Sequence, residues 1–238
     1  MEASQWHYTS NWFRGLQAPR AGEMSGCVVR VELIEDQPGP APLADPPLVA
    51  LVRHPHPLYC GTTHNKVVYR TALALRCRSI PVLRLNFRGA GLSEGAHDQG
   101  RGEQDDVRAA LSYLAGEFPG RPILLAGFSF GSWVGLRVGS EDARVTEQIG
   151  LRLPVNSCDL TYRRACAKPK LLIQGDNDQF GSRTNVEALF ATLPEPKRLV
   201  IVERAGHFFT GKLNDAVSAI DAWLVEKHPH STANRQRA

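Results

Sequence analysis

A serine at the centre of Gly127-Phe128-Ser129-Phe130-Gly131, an aspartate ending Gly175-Asp176-Asn177-Asp178 and a histidine ending Ala205-Gly206-His207 follow one another along the chain. These residue types supply a nucleophile, an orienting acid and a general base, the set that acyl transfer through a covalent serine requires. A neutral hydroxyl attacks poorly, so His207 is expected to take the Ser129 proton and later return one to the leaving group. Asp178 is expected to hold the imidazole in one tautomer and stabilise the imidazolium. A turn-forming role is the competing reading of Asp178, because Asp176 and Asp178 both lie in turn-like sequence. The spacing Gly-x-x-Asp favours the functional reading, since it carries residue 178 past a strand end toward the histidine.

A site for developing negative charge is expected in His54-Pro55-His56-Pro57-Leu58. Proline has no backbone N–H, so Pro55 and Pro57 cannot donate and the donor must be His56 or Leu58. The His56 N–H, paired with the N–H of Phe130 directly after the serine, is the expected oxyanion hole. His54 and His56, with His64 nearby, also raise a metal reading. Flanking prolines make that segment a turn rather than a strand, and no third carboxylate ligand is suitably spaced, so no metal and no cofactor is expected.

The elements that must position these residues alternate between strand and helix patterns. Ile123-Leu124-Leu125-Ala126 runs straight into the serine turn, and a helix is expected over residues 130–140. Glycines two before and two after the serine suit a sharp strand-to-helix turn in which the two backbones nearly touch. Other strands are expected at 27–35, 48–53, 81–86, 150–156, 170–175 and 198–203. Helices are expected at 65–78, 103–118, 184–193 and 212–227, where Val107, Ala110, Leu111 and Leu114 show helical spacing. Five prolines between 36 and 47 mark a loop. Such alternation implies a mostly parallel sheet covered on both faces, with the two strands that precede any helix paired antiparallel. One α/β domain over 22–227 is expected, between an N-terminal extension at 1–21 and a frayed polar tail at 228–238.

Composition narrows the function classes. The 238 residues are 42% hydrophobic and 22% charged, ordinary values for a folded chain. A net charge of +4 with scattered arginines argues against a nucleic-acid partner. No apolar stretch approaches the ~20 residues of a membrane span, and residues 1–20 lack the apolar core of a secretory signal. Five cysteines without a close CxxC pair are expected as free thiols in a reducing cytoplasm.

Several motifs together resemble the small bacterial α/β-hydrolase family of predicted serine esterases. They are His54-Pro55-His56-Pro57-Leu58-Tyr59-Cys60-Gly61, Asn65-Lys66-Val67-Val68, Leu85-Asn86-Phe87-Arg88-Gly89, Gly91-Leu92-Ser93-Glu94-Gly95, Gly100-Arg101-Gly102-Glu103, Gly127 to Gly131, and Gly206-His207-Phe208-Phe209. The resemblance covers about residues 22–226. It implies an α/β-hydrolase fold and a serine hydrolase with Ser129, Asp178 and His207 as its triad, in the chain order that fold requires. Cys60 departs from the family, where the first of two glycines is usual, and a small side chain fits there if the backbone does not need a positive φ.

The expected activity is cleavage of carboxylic esters, with thioesterase, acyltransferase, peptidase and a quiet ligand-binding domain as alternatives that share the scaffold. The stretch 157–169, where many relatives of this fold carry a helical lid, is too short for one. An open acyl site walled by Leu58, Tyr59, Phe128, Phe130, Phe180, Phe208 and Phe209 is expected, taking short acyl chains from a small-molecule ester. A homodimer is left open. Asn86 and Arg88 are expected to tie their loop to its neighbours rather than touch substrate.

Overall fold

The computed structural model describes residues 9–14, 30–36 and 46–229. Its strands are β1 (Thr9–Arg14), β2 (Arg30–Asp36), β3 (Val49–Arg53), β4 (Val82–Leu85), β5 (Ile123–Phe128), β6 (Val145–Leu151), β7 (Lys170–Gly175) and β8 (Lys197–Val202). The helices are α1 (Lys66–Arg76), α2 (Gly102–Glu117), α3 (Phe130–Glu141), α4 (Arg183–Ala191) and α5 (Leu213–Lys227). All eight strands form one sheet in the order β1-β2-β4-β3-β5-β6-β7-β8. From β4 to β8 every pairing is parallel, while β1 and β2 add an antiparallel edge.

Strand periodicity divides the core. Ala50 and Val52 of β3, with Leu124, Ala126 and Phe128 of β5, face one apolar cluster, which α1 and α5 complete through Val68, Leu75, Ile220 and Leu224. Val49, Leu51, Ile123 and Leu125 face the other, closed by Val107 and Leu111 of α2 and Val134 and Val138 of α3. Both faces of the central strands are thus dry, which is why they read as continuous apolar runs. Helix starts follow local chemistry: the Asn65 side chain accepts the Val67 N–H at 2.9 Å, and Ser182 accepts that of Asn185 at 3.3 Å.

Strand β3 lies at the point where the sheet order reverses, since the chain leaves it for β4 on one side and returns to β5 on the other. Crevices at such switch points, beyond the carboxyl ends of the strands, are where open α/β sheets place their sites. The His54–Leu58 segment follows β3 and Ser129 follows β5, so topology delivers both to one crevice.

Four expectations change. The strand expected at 150–156 is β6 at Val145–Leu151; Glu147 and Gln148 hide its start, although Gln148 is buried, donating to the Leu136 carbonyl and accepting from Arg163. β2 pairs antiparallel with β1 and β4, not with β3, so the early antiparallel pair exists with different partners. Residues 9–14, assigned by sequence to an extension, supply the edge strand. Cys60 adopts φ 56°, so the loop does use the left-handed region and a side chain there carries strain of about 1 kcal/mol. Residues 27–29 of the first expected strand, most of the proline-rich loop and residues 230–238 of the expected tail lie outside the described residues.

Between β6 and β7 the chain forms only a 3-10 turn at Thr161–Ala165. No capping helix stands there. Among the described residues, no helix is long and apolar enough to cross a membrane.

Candidate active site

Ser129 sits between β5 and α3 with φ 55° and ψ −118°, a conformation that a non-glycine residue holds only when its surroundings enforce it. The enforcement is steric and polar. A side chain on Gly127 would meet the Gly131 carbonyl, and one on Gly131 would meet the His54 carbonyl. The Ser129 N–H donates to Leu151 O of β6 at 2.9 Å, and its own carbonyl accepts from the N–H of Ser132 and Trp133 and from the Ser132 hydroxyl at 2.6 Å. The turn therefore aims the hydroxyl away from the sheet, at the mouth of the crevice.

His207 follows β8 and Asp178 follows β7. The imidazole Nε2 lies 3.0 Å from Ser129 Oγ, and Nδ1 lies 3.0 and 3.1 Å from the two Asp178 oxygens. A carboxylate can only accept, so the neutral ring carries its hydrogen on Nδ1 and presents the Nε2 lone pair to the hydroxyl. Phe128, Phe180 and Phe208 surround the imidazole at centroid distances of 5.2, 4.7 and 5.2 Å, restricting its rotation and shielding the hydrogen bonds from water. The Asp178 side chain is fully buried. It accepts from the Phe180 N–H and from Gln174 Nε2, both at 2.9 Å, and Arg152 Nη1 approaches at 3.5 Å. Gln174 also accepts the Leu153 N–H and donates to Gly181 O, so one buried amide links β6, β7 and the loop carrying the acid. Asp176, in the same turn, accepts the Ala205 N–H at 3.1 Å and braces the histidine loop.

On the other side of the serine, His56 caps a 3-10 turn at Pro57–Tyr59. Its Nδ1 accepts the Leu58 N–H at 3.3 Å, and its carbonyl accepts the N–H groups of Tyr59 and Gly61, both at 3.1 Å. The Leu58 amide is thus occupied. Among the described residues, the amides of His56 and Phe130 have no acceptor, and the two side chains touch at a centroid distance of 4.7 Å. Burial, with the neighbouring His97, lowers the His56 pKa from its ordinary value.

His54 has a different task. Its Nδ1–H donates to the Pro55 carbonyl at 2.6 Å within its own loop, and its Nε2 accepts the Phe87 N–H at 2.9 Å, so the ring pins the loop after β3 to the loop after β4. The ring's one lone pair, on Nε2, is therefore not left for a metal ion. Asn86 accepts the Thr63 N–H, and Arg88 pairs with buried Asp106 at 2.7 Å, the structural tying expected of both.

Burial holds the His54 ring neutral, with its pKa pushed down to about 4 against 6.5 in an unfolded chain. Below the unfolded value the denatured chain binds a proton that the native ring refuses. Stability from this group is therefore complete above about pH 6.5 and is lost as pH falls toward 4, by on the order of 3 kcal/mol. Urea unfolding midpoints at pH 7 and pH 4.5 should show that loss, and replacing His54 by glutamine should shrink the difference. An unchanged pH dependence in the variant would remove His54 from the account.

The aromatic wall divides into two kinds of residue. Leu58, Tyr59, Phe180 and Phe208 face solvent, Tyr59 and Leu58 at 80% and 68% exposure. Phe128 and Phe209, expected on the wall, are buried. Phe128 backs the His207 ring, and Phe209 lies in the core with the Arg152 guanidinium over its face at 3.9 Å, so neither is an open surface for substrate. Phe130 is also nearly buried, its ring packed between His56, His97 and Trp133. Gln174 and Arg152 beside Asp178 carry little signal of their role in the sequence; a lone arginine inside the apolar run Gly150-Leu151-Arg152-Leu153 is the one sign of it.

A parallel sheet with helices on both faces, a strained serine turn after a central strand and no lid defines an α/β hydrolase of the serine type. No family model matches the chain. It is 34% identical over 203 residues to an uncharacterised protein of Rickettsia prowazekii, covering 80% of this chain and 85% of that one. Among solved structures it is similar to a lidless α/β serine hydrolase from Xanthomonas campestris, at 32% identity and a TM-score of 0.80, over 93% of this chain and 95% of that one. An α/β serine hydrolase homologue from Coxiella burnetii matches at 30% identity and a TM-score of 0.77, over 92% and 100%. The chain belongs to the α/β serine hydrolase family.

Proposed function

We propose that this chain hydrolyses carboxylic esters of short acyl chains through an acyl-Ser129 intermediate. The observation that carries the reading is the continuous chain of hydrogen bonds from Ser129 Oγ through His207 to a buried Asp178. As Ser129 Oγ bonds to the ester carbonyl carbon, its proton passes to His207 Nε2. Asp178 stabilises the imidazolium through Nδ1–H. The former carbonyl oxygen becomes an oxyanion that accepts from the His56 and Phe130 N–H groups, neither of which has another acceptor among the described residues. Collapse breaks the bond to the leaving alcohol, which takes the proton from Nε2. Water then repeats the sequence on the acyl-serine, releasing the acid and restoring the hydroxyl.

Solvent-facing Leu58, Tyr59, Phe180 and Phe208 and the absence of a capping helix support the short-chain preference. Each methylene of an acyl chain contributes about 0.8 kcal/mol only if it leaves water, and an uncovered groove buries few. In a p-nitrophenyl series, kcat/KM is expected to peak between acetate and butyrate and to fall roughly tenfold by dodecanoate. A steady rise toward long chains would refute the open-site reading. Matched butyryl ester, thioester and anilide substrates, compared in one assay, test the leaving-group class; the ester should be turned over fastest relative to its uncatalysed rate.

A further inference from the structure

Arg152, immediately after β6, is fully buried and adopts φ 54°. Its backbone N–H continues the sheet to Ile173 O at 2.9 Å, while its guanidinium lies across the Phe209 ring and reaches Asp178 Oδ2 at 3.5 Å. The slot it fills exists because residue 175 has no side chain: a Cβ on Gly175 would collide with the guanidinium. Nε and Nη2 have no hydrogen-bond partner among the described residues. A buried cation with so few donors satisfied is a poor way to stabilise a fold, since an apolar side chain of similar volume would serve as well or better. Asp178 meanwhile has strong acceptor contacts to Gln174, Phe180 and His207, so it does not need Arg152 for hydrogen bonding.

What Arg152 adds is charge. The charged and titratable groups that face it are Asp176 and Asp178 from the loop after β7 and, across Asp178, His207 from the loop after β8. We infer that Arg152 is a positioning residue of the reaction, a buried cation that shares the Asp178 carboxylate with His207 and so keeps the imidazole unprotonated, ready as a base, in mildly acidic solution. The inference rests on the proposed roles of Ser129, His207 and Asp178. Without the cation, the carboxylate acts on the imidazole alone and the protonated ring is favoured. Desolvation lowers the Arg152 pKa to about 10, which still leaves it charged at neutral pH.

The test compares wild type, Arg152→Met and Arg152→Lys. In Arg152→Met the acid limb of kcat/KM and the His207 ring titration followed by NMR should both move upward by about one pH unit. Arg152→Lys should return both most of the way. A lower rate in Arg152→Met with limb and titration unmoved would overturn the inference and leave only packing. If that variant does not fold, Arg152→Gln, which keeps a polar side chain in the slot but no charge, takes its place; a shift of the same sign is expected, and none would overturn the inference. The NMR titration does not depend on turnover, so loss of the proposed nucleophile role for Ser129 would show separately, as unchanged esterase activity in Ser129→Ala.

Discussion

Replacing Ser129 by alanine is expected to lower kcat for a short-chain p-nitrophenyl ester on the order of a millionfold, while KM changes little. The expectation follows from where the hydroxyl stands. It lies 3.0 Å from His207 Nε2 at the apex of a turn whose glycines admit no substituent, so no other hydroxyl can occupy that point. The Ser132 hydroxyl, the nearest alternative in sequence, is bound to the Ser129 carbonyl at 2.6 Å and faces the interior. Alanine retains the turn and adds no clash, so the thermal midpoint should hold. A residual rate within about a hundredfold of wild type would mean that catalysis does not pass through this serine.

The second large effect is expected at Asp178. Asparagine there should cut kcat by about 10⁴, or about 5 kcal/mol of transition-state stabilisation. The contacts predict how. Asp178 accepts from Phe180 N–H, Gln174 Nε2 and His207 Nδ1, all within 3.1 Å, and its side chain has no exposure. An amide of the same shape keeps the contacts of one oxygen but places an NH₂ where the other accepted, and with the oxygen kept toward Gln174 and Arg152 that NH₂ faces the Phe180 N–H and His207 Nδ1. The imidazole is then driven toward the tautomer with hydrogen on Nε2, which cannot take the serine proton. Asparagine also leaves the Arg152 cation without its nearest anion, so some loss of stability should accompany the loss of rate. Steady-state kinetics with a denaturation curve separates the two. Activity within tenfold of wild type would assign Asp178 to the turn and not to the reaction.

Much of this site is legible in the sequence because its determinants are local. Gly127 answers a steric demand from within five residues, the Gly131 carbonyl, while Gly131 makes room for the His54 carbonyl after β3, and the positions of Asp178 and His207 follow from where β7 and β8 end. Choosing His56 over Leu58 as a free amide depends only on a turn between two prolines, and the structure has the Leu58 N–H bound to the His56 ring. What the sequence hides depends on neighbours far along the chain. The burial of Phe209 is decided by Arg152, 57 residues earlier, whose guanidinium covers the ring in a slot left by Gly175. The start of β6 is obscured because Gln148 looks like a surface residue until Leu136 and Arg163 supply its partners. β1 is hidden in the sequence because an edge strand shows itself through its pairing with β2 more than through its own residues.

The central claim is that Ser129 is the group made nucleophilic by His207 and Asp178. Incubation with a fluorophosphonate, followed by intact-mass and peptide mass spectrometry, tests it without any assumption about substrate. Wild type should gain one adduct, on Ser129, while His207→Ala and Asp178→Asn should label far more slowly and Ser129→Ala not at all. Folded wild-type protein that stays unlabelled, or that carries the adduct on another residue, would contradict the account.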